Sequence, residues 1–179
     1  MRTACTLFVF LALAAGAHAQ MWRAAPPMAT ARTGAASVVF DGRLVVMGGR
    51  DAAGTPLATA EAFDTASGWT PLPDLRRART DAAAAVLDGH IVLSGGRDDD
   101  GEPTDDVEVY DPEDDRWESF DSFQTEREGH GLATLGGDLI ALGGADGNGA
   151  LLATSETYTG DWEPYGWTLD PARARFGTV

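Results

Sequence analysis

The chain has 179 residues and a net charge of −15, with 28 acidic residues against 13 basic ones and no lysine. A surface this acidic repels polyphosphate backbones and anionic lipid, so nucleic acid and membrane surfaces are excluded as partners, and the length suffices for one domain. The single cysteine is Cys5, so a disulfide, a thiolate nucleophile or a Cys-ligated metal has no residue to build on further along the chain.

Met1-Arg2 followed by an apolar run from Leu7 to Ala15, and then Ala17-His18-Ala19 before Gln20, has the form of a cleavable export signal over 1–19. The chain is therefore expected to be secreted or periplasmic. No later stretch approaches the roughly 20 apolar residues that a membrane-spanning helix needs.

From Arg32 onward one pattern repeats. A small-to-apolar run from Ala35 to Phe40 meets Asp41-Gly42, then Leu44-Val45-Val46-Met47 and Gly48-Gly49. Two short apolar runs flanking Asp-Gly predict a tight hairpin, because a type I′ turn needs positive φ at both central residues. The pattern returns as Ala82 to Leu87, Asp88-Gly89, Ile91-Val92-Leu93 and Gly95-Gly96. It returns again as Leu132 to Leu135, Gly136-Gly137-Asp138, Leu139 to Leu142 and Gly143-Gly144. After each glycine pair comes a polar loop, a third strand ending at Phe63, Tyr110 or Tyr158, a turn, and a tryptophan opening a fourth strand: Trp69, Trp117, and either Trp162 or Trp167. Arg32, Arg79, Arg127 and Arg175 keep a spacing of 47, 48 and 48, and Trp22 lies 47 before Trp69. Such registry marks stacked copies of one unit. Four antiparallel strands per unit, without helical periodicity, predict the blade of a propeller.

Arginine, apolar strand, Asp-Gly, strand closing on Gly-Gly, aromatic residue and tryptophan together resemble the kelch repeat. The resemblance spans nearly all of residues 20–179 and implies an all-β fold: a kelch-type β-propeller with three four-stranded antiparallel blades over about 32–78, 79–126 and 127–174, forming an incomplete ring. Residues 20–31, with Trp22, would supply a ring-closing strand, and 175–179 would start a fourth repeat. Open blade edges would favour self-association.

In an ordinary blade the strand-four to strand-one connection and the strand-two to strand-three loop open on one face. That arrangement would bring Arg32, Arg79, Arg127 and Arg175 together with Asp51, Asp98 and Asp146 near the channel mouth, where guanidinium and carboxylate groups suit a carboxylated sugar or an acidic peptide. The competing role for the arginines is to tie neighbouring loops. The glycine pairs serve close backbone approach. Phe63, Tyr110, Tyr158, Trp69 and Trp117 serve packing between blades. The acidic run from Asp98 to Asp106 fails the EF-hand pattern, because Gly96 falls where the first carboxylate is required. His90 and His130 have no nucleophile motif beside them, and the cross-linked tyrosine–cysteine copper site of kelch oxidases lacks its cysteine. No metal, cofactor or catalytic residue is expected. The expected function is a kelch binding scaffold for a protein or carbohydrate ligand. The alternatives are part of a carbohydrate-active kelch enzyme similar to the sialic-acid mutarotases, or a structural module of an extracellular adhesin.

Overall fold

The computed structural model describes residues 24–175. The expected export signal, Trp22 and residues 176–179 lie outside them. Twelve strands and no helix occur among the described residues: β1 Ala36–Phe40, β2 Arg43–Met47, β3 Ala60–Asp64, β4 Gly68–Leu72, β5 Ala83–Leu87, β6 His90–Ser94, β7 Val107–Asp111, β8 Arg116–Phe120, β9 Gly131–Leu135, β10 Asp138–Leu142, β11 Ser155–Tyr158 and β12 Trp162–Tyr165. They form three four-stranded antiparallel meanders, β1–β4, β5–β8 and β9–β12. The first and third sheets both pack on the second, and the ring is not closed.

Each inner hairpin turns where the sequence predicts it. Phe40 pairs with Arg43 and Leu87 with His90 across Asp41-Gly42 and Asp88-Gly89, whose φ angles are 48°, 70°, 48° and 78°. In the third sheet the two turn residues are Gly136 and Gly137, and Asp138 already belongs to β10. The glycine pairs sit where backbones cross. A Cβ on Gly95 would strike the Arg127 carbonyl and one on Gly96 the Thr80 carbonyl, so no other residue fits.

Packing follows from strand register. The row Val86, Ile91, Tyr110 and Trp117 runs straight across the second sheet. Ile91, Tyr110 and Trp117 meet Val45, Met47, Ala60 and Ala62 of the first sheet in one buried cluster. One sheet further on, the row Thr134, Leu139, Tyr158 and Trp162 plays the same part, with Leu139 and Trp162 buried against Val92 and Val107. The tryptophan that opens the third outer strand is thus Trp162, at 1% exposure, whereas Trp167 is 53% exposed.

In the first sheet the equivalent row is Val39, Leu44, Phe63 and Trp69, and it has no sheet to face. Val39 is 68% and Leu44 39% exposed. Part of this row is covered by the segment before it. Pro26 accepts the Trp69 indole N–H at 2.9 Å, as Pro73 accepts from Trp117 at 3.1 Å and Asp121 from Trp162 at 2.8 Å. Residues 24–31 therefore run like the connection leading into a blade. They contain no strand, so only 20–23, outside the described residues, remain of the expected ring-closing strand.

Apolar rows left in water recruit other surfaces. Residues 20–179 produced on their own are expected to self-associate, as light scattering would read. A monodisperse monomer unfolding in one step would show that the open row of the first sheet needs no partner.

Candidate functional site

The two loop families do open on one face. Thr33 bridges Arg50, Thr80 bridges Arg97 and Glu128 bridges Ala145, joining the strand leading into each sheet to the loop after its glycine pair. Of the two roles open to the arginines, this face presents the tie and not the ligand ring. Arg32, Arg79 and Arg127 turn inward, and their side chains are 1%, 1% and 0% exposed. Each guanidinium spans its own sheet to reach a buried glutamate on the third strand: Arg32 to Glu61 at 2.7 Å, Arg79 to Glu108 at 2.5 Å and Arg127 to Glu156 at 2.5 Å. Each also donates to the first glycine carbonyl of the pair, Gly48, Gly95 or Gly143. The second carboxylate oxygen accepts a backbone N–H from the preceding connection, from Ala29, Arg76 or Gln124. This arrangement locks a connection onto a blade, and the Nε groups of Arg79 and Arg127 that remain without a partner are buried away from a ligand.

Nor do Asp51, Asp98 and Asp146 point at a common centre. Each closes its own loop, its Oδ1 accepting the N–H groups two and four residues on: Ala53 and Thr55, Asp100 and Glu102, Asn148 and Ala150. The ring of arginines and aspartates around the mouth is therefore replaced by two sets of separate structural ties. Glu61, Glu108 and Glu156 were visible in the sequence as markers of the third strand. Their recurrence 29 residues after each arginine was the available signal for the pairing.

The fourth arginine slot is also corrected. Gly49 donates to the carbonyl of Arg79, Gly96 to that of Arg127, and Gly144 to that of Arg173. Arg173, not Arg175, follows the repeat, because only three residues separate Tyr158 from Trp162 where six separate Tyr110 from Trp117, and the connection from Trp162 is one residue longer than that from Trp117. Arg175 falls instead in the slot of Gly34, Asp81 and Gly129. These four form a backbone belt around the mouth, the last three each donating an N–H to the carbonyl of the slot one blade earlier: Asp81 to Gly34, Gly129 to Asp81, and Arg175 to Gly129.

A family model for the kelch motif matches residues 31–76 and 78–124, together more than half of the chain. The chain belongs to the kelch-repeat family. Among solved structures, that of YjhT is similar with a TM-score of 0.68 over 80% of this chain, at 16% identity. This chain spans 54% of the YjhT chain, and at that identity the likeness concerns the kelch fold alone. No curated protein matches in sequence.

The kelch arginines and their glutamates account for three buried ion pairs, and several charges that not every blade shares lie at the mouth. Asp81 stands where neighbouring blades have glycine, and Glu128 where they have Thr33 and Thr80. Arg50 donates to Asp81 Oδ2 at 3.3 Å, and Thr80 Oγ1 to the same oxygen at 2.8 Å. Arg97 grips Glu128 through Nε and NH2 and donates NH1 to the Gly101 carbonyl at 2.6 Å. These pairs link successive kelch blades, first to second and second to third.

His130 is sealed between the second and third blades. Its Nε2 lies 2.9 Å from Ser94 Oγ, its ring stands edge-on to Phe123, and Nδ1 has no partner. Burial, with the Arg127 charge second, pushes the imidazole down to about 3, so it is neutral at ordinary pH. Ser94 is 0% exposed, which leaves this serine–histidine contact without access for a substrate. His90 caps its hairpin, Nδ1 lying 2.9 Å from the Asp88 carbonyl. The carboxylates of Asp98, Asp99 and Asp100 lie within 4.8 Å of one another, and Asp98 is already engaged in closing its loop. No helix among the described residues is long and apolar enough to cross a membrane.

Proposed function

We propose that this kelch segment is an exported binding scaffold without catalysis of its own, which engages its ligand on the loop face at the channel mouth. One observation carries the reading: the repeated arginines are buried in the blades and the repeated aspartates close their own loops, while Arg50, Asp81, Arg97, Glu128 and Arg175, charges not shared by all three blades, gather at that mouth. A position identical in every blade serves the blade. A charge present in only one or two blades is not required by the blade itself. Kelch propellers commonly mediate protein interactions, which favours a scaffold. The export part rests on the basic start, apolar run and Ala-His-Ala of residues 1–19.

The test is binding of the protein to arrays of acidic peptides and carboxylated glycans, comparing Arg50→Ala at the mouth with Arg43→Ala at the opposite end of the same sheet. Loss with the first alone supports the mouth as the binding face. Equal loss with both, or binding to neither array, removes the reading. If a bound sugar instead exchanges anomers faster with protein present, as followed by NMR, the carbohydrate-active enzyme replaces the scaffold. Export is tested separately, by whether the signal-bearing chain is recovered outside the cytoplasm with Gln20 at its N-terminus.

A further inference from the structure

Arg175 stands out at the mouth. It occupies a belt slot at φ 56°, in the left-handed region where the first and third blades place Gly34 and Gly129 at 66° and 56° and the second places the short Asp81 at 54°. A long side chain pays a steric cost for that conformation which glycine does not, and a strained residue retained at a surface points toward function. The stem of Arg175 lies over Gly129, where a Cβ would come within 2.9 Å of its Cγ. The guanidinium is carried out over the two non-repeating carboxylates, Nε 3.7 Å from Asp81 Oδ1 and NH2 3.7 Å from Glu128 Oε2.

At 3.7 Å neither contact is a hydrogen bond. Both carboxylates already have closer partners, Glu128 in Arg97 and Asp81 in Thr80 and Arg50. They are also nearly covered, at 11% and 7% exposure, whereas the Arg175 side chain is 64% exposed. Three guanidinium groups thus surround two carboxylates. Arg175 is the one side chain of the five that makes no side-chain hydrogen bond among the described residues.

The geometry points to Arg175 as the anchor of a site for one oxyanion group, a carboxylate or a phosphate, on the ligand bound at the mouth. A guanidinium presents paired N–H donors that match two oxygens of such a group. The half-exposed Arg50, 41% exposed on the other side of Asp81, adds attraction from the flank. This inference rests on the mouth being the binding face.

The decisive variant is Arg175→Gly, which puts into the slot the residue that two other blades already use there. Calorimetric titration with sodium phosphate and with sodium glucuronate, at low ionic strength, should show saturable binding that weakens at least tenfold in the variant, while the melting temperature stays level or rises a few degrees as the strain is relieved. The tighter of the two probes identifies the oxyanion. Unchanged affinity in Arg175→Gly, or no saturable binding of either probe, overturns the inference. A fall in melting temperature without loss of binding also overturns it, and makes Arg175 a structural tie. A variant that still holds the array ligand sinks the anchor alone, whereas a wild-type protein that binds nothing on the arrays sinks the scaffold as well.

Discussion

Replacing Arg79 with alanine is expected to destabilise the protein by about 3–5 kcal/mol, the cost of breaking a buried ion pair from one side. Its guanidinium is 1% exposed and satisfies three acceptors at once, the Gly95 carbonyl at 3.2 Å, the Asp106 carbonyl at 3.0 Å and Glu108 Oε1 at 2.5 Å. Truncation leaves Glu108, 3% exposed, with only the N–H groups of Arg76 and Arg77 for company. An uncompensated carboxylate in that place is worse than none. At about 2–4 °C per kcal/mol for a chain of this size, the melting temperature should fall by roughly 10 °C. The double variant Arg79→Met with Glu108→Gln should recover part of the loss, since a neutral pair carries no stranded charge. A melting temperature of Arg79→Ala within a degree or two of the parent would mean that the pair is worth no more than an exposed one.

Acidification from pH 7 to pH 5 is expected to cost about 2 kcal/mol through His130 alone. Burial first, and the Arg127 charge second, push its imidazole from 6.5 down to about 3. The unfolded chain therefore takes up a proton below about pH 6.5 that the folded chain refuses until about pH 3. Stability is complete above the upper value and falls as pH drops through the window, by about 1.4 kcal/mol for each unit. Asp64 and Asp111 are held below 3.8, chiefly by backbone N–H donors from Ala66 and Glu113, so they act only at lower pH. Denaturant unfolding of the wild type should lose stability over that interval, and His130→Gln, which has nothing to titrate, should hold level. Parallel slopes for the two proteins would refute the assignment.

The predicted blades and the observed ones agree because the kelch unit is written in local chemistry. Asp41-Gly42 and Asp88-Gly89 make hairpins through their own φ preferences, and the glycine pairs are required by backbone carbonyls at fixed places in the repeat. Registry over three copies then multiplies a weak signal. A fold built from one repeated unit is legible in a single sequence.

The mouth is a different case. Four arginines at a near-constant spacing left two roles open, ligand donors or ties between loops, and three of them are buried ties while the fourth belongs to another slot. Sequence spacing specifies which residues share a phase, whereas the direction a side chain takes depends on partners far along the chain. The buried Glu108 sits 29 residues from Arg79, and desolvating one charge demanded the other. The displacement of Arg175 by two residues is the net of a turn before Trp162 that is three residues short and a connection after it that is one residue long, a shift that leaves the pattern before it unaltered. The sequence by itself thus determined the strands, their turns and their stacking, through local backbone preferences repeated three times. Only the tertiary structure decided which charges are spent holding blades together and which stand open to a ligand, because burial and pairing are properties of the assembled sheets.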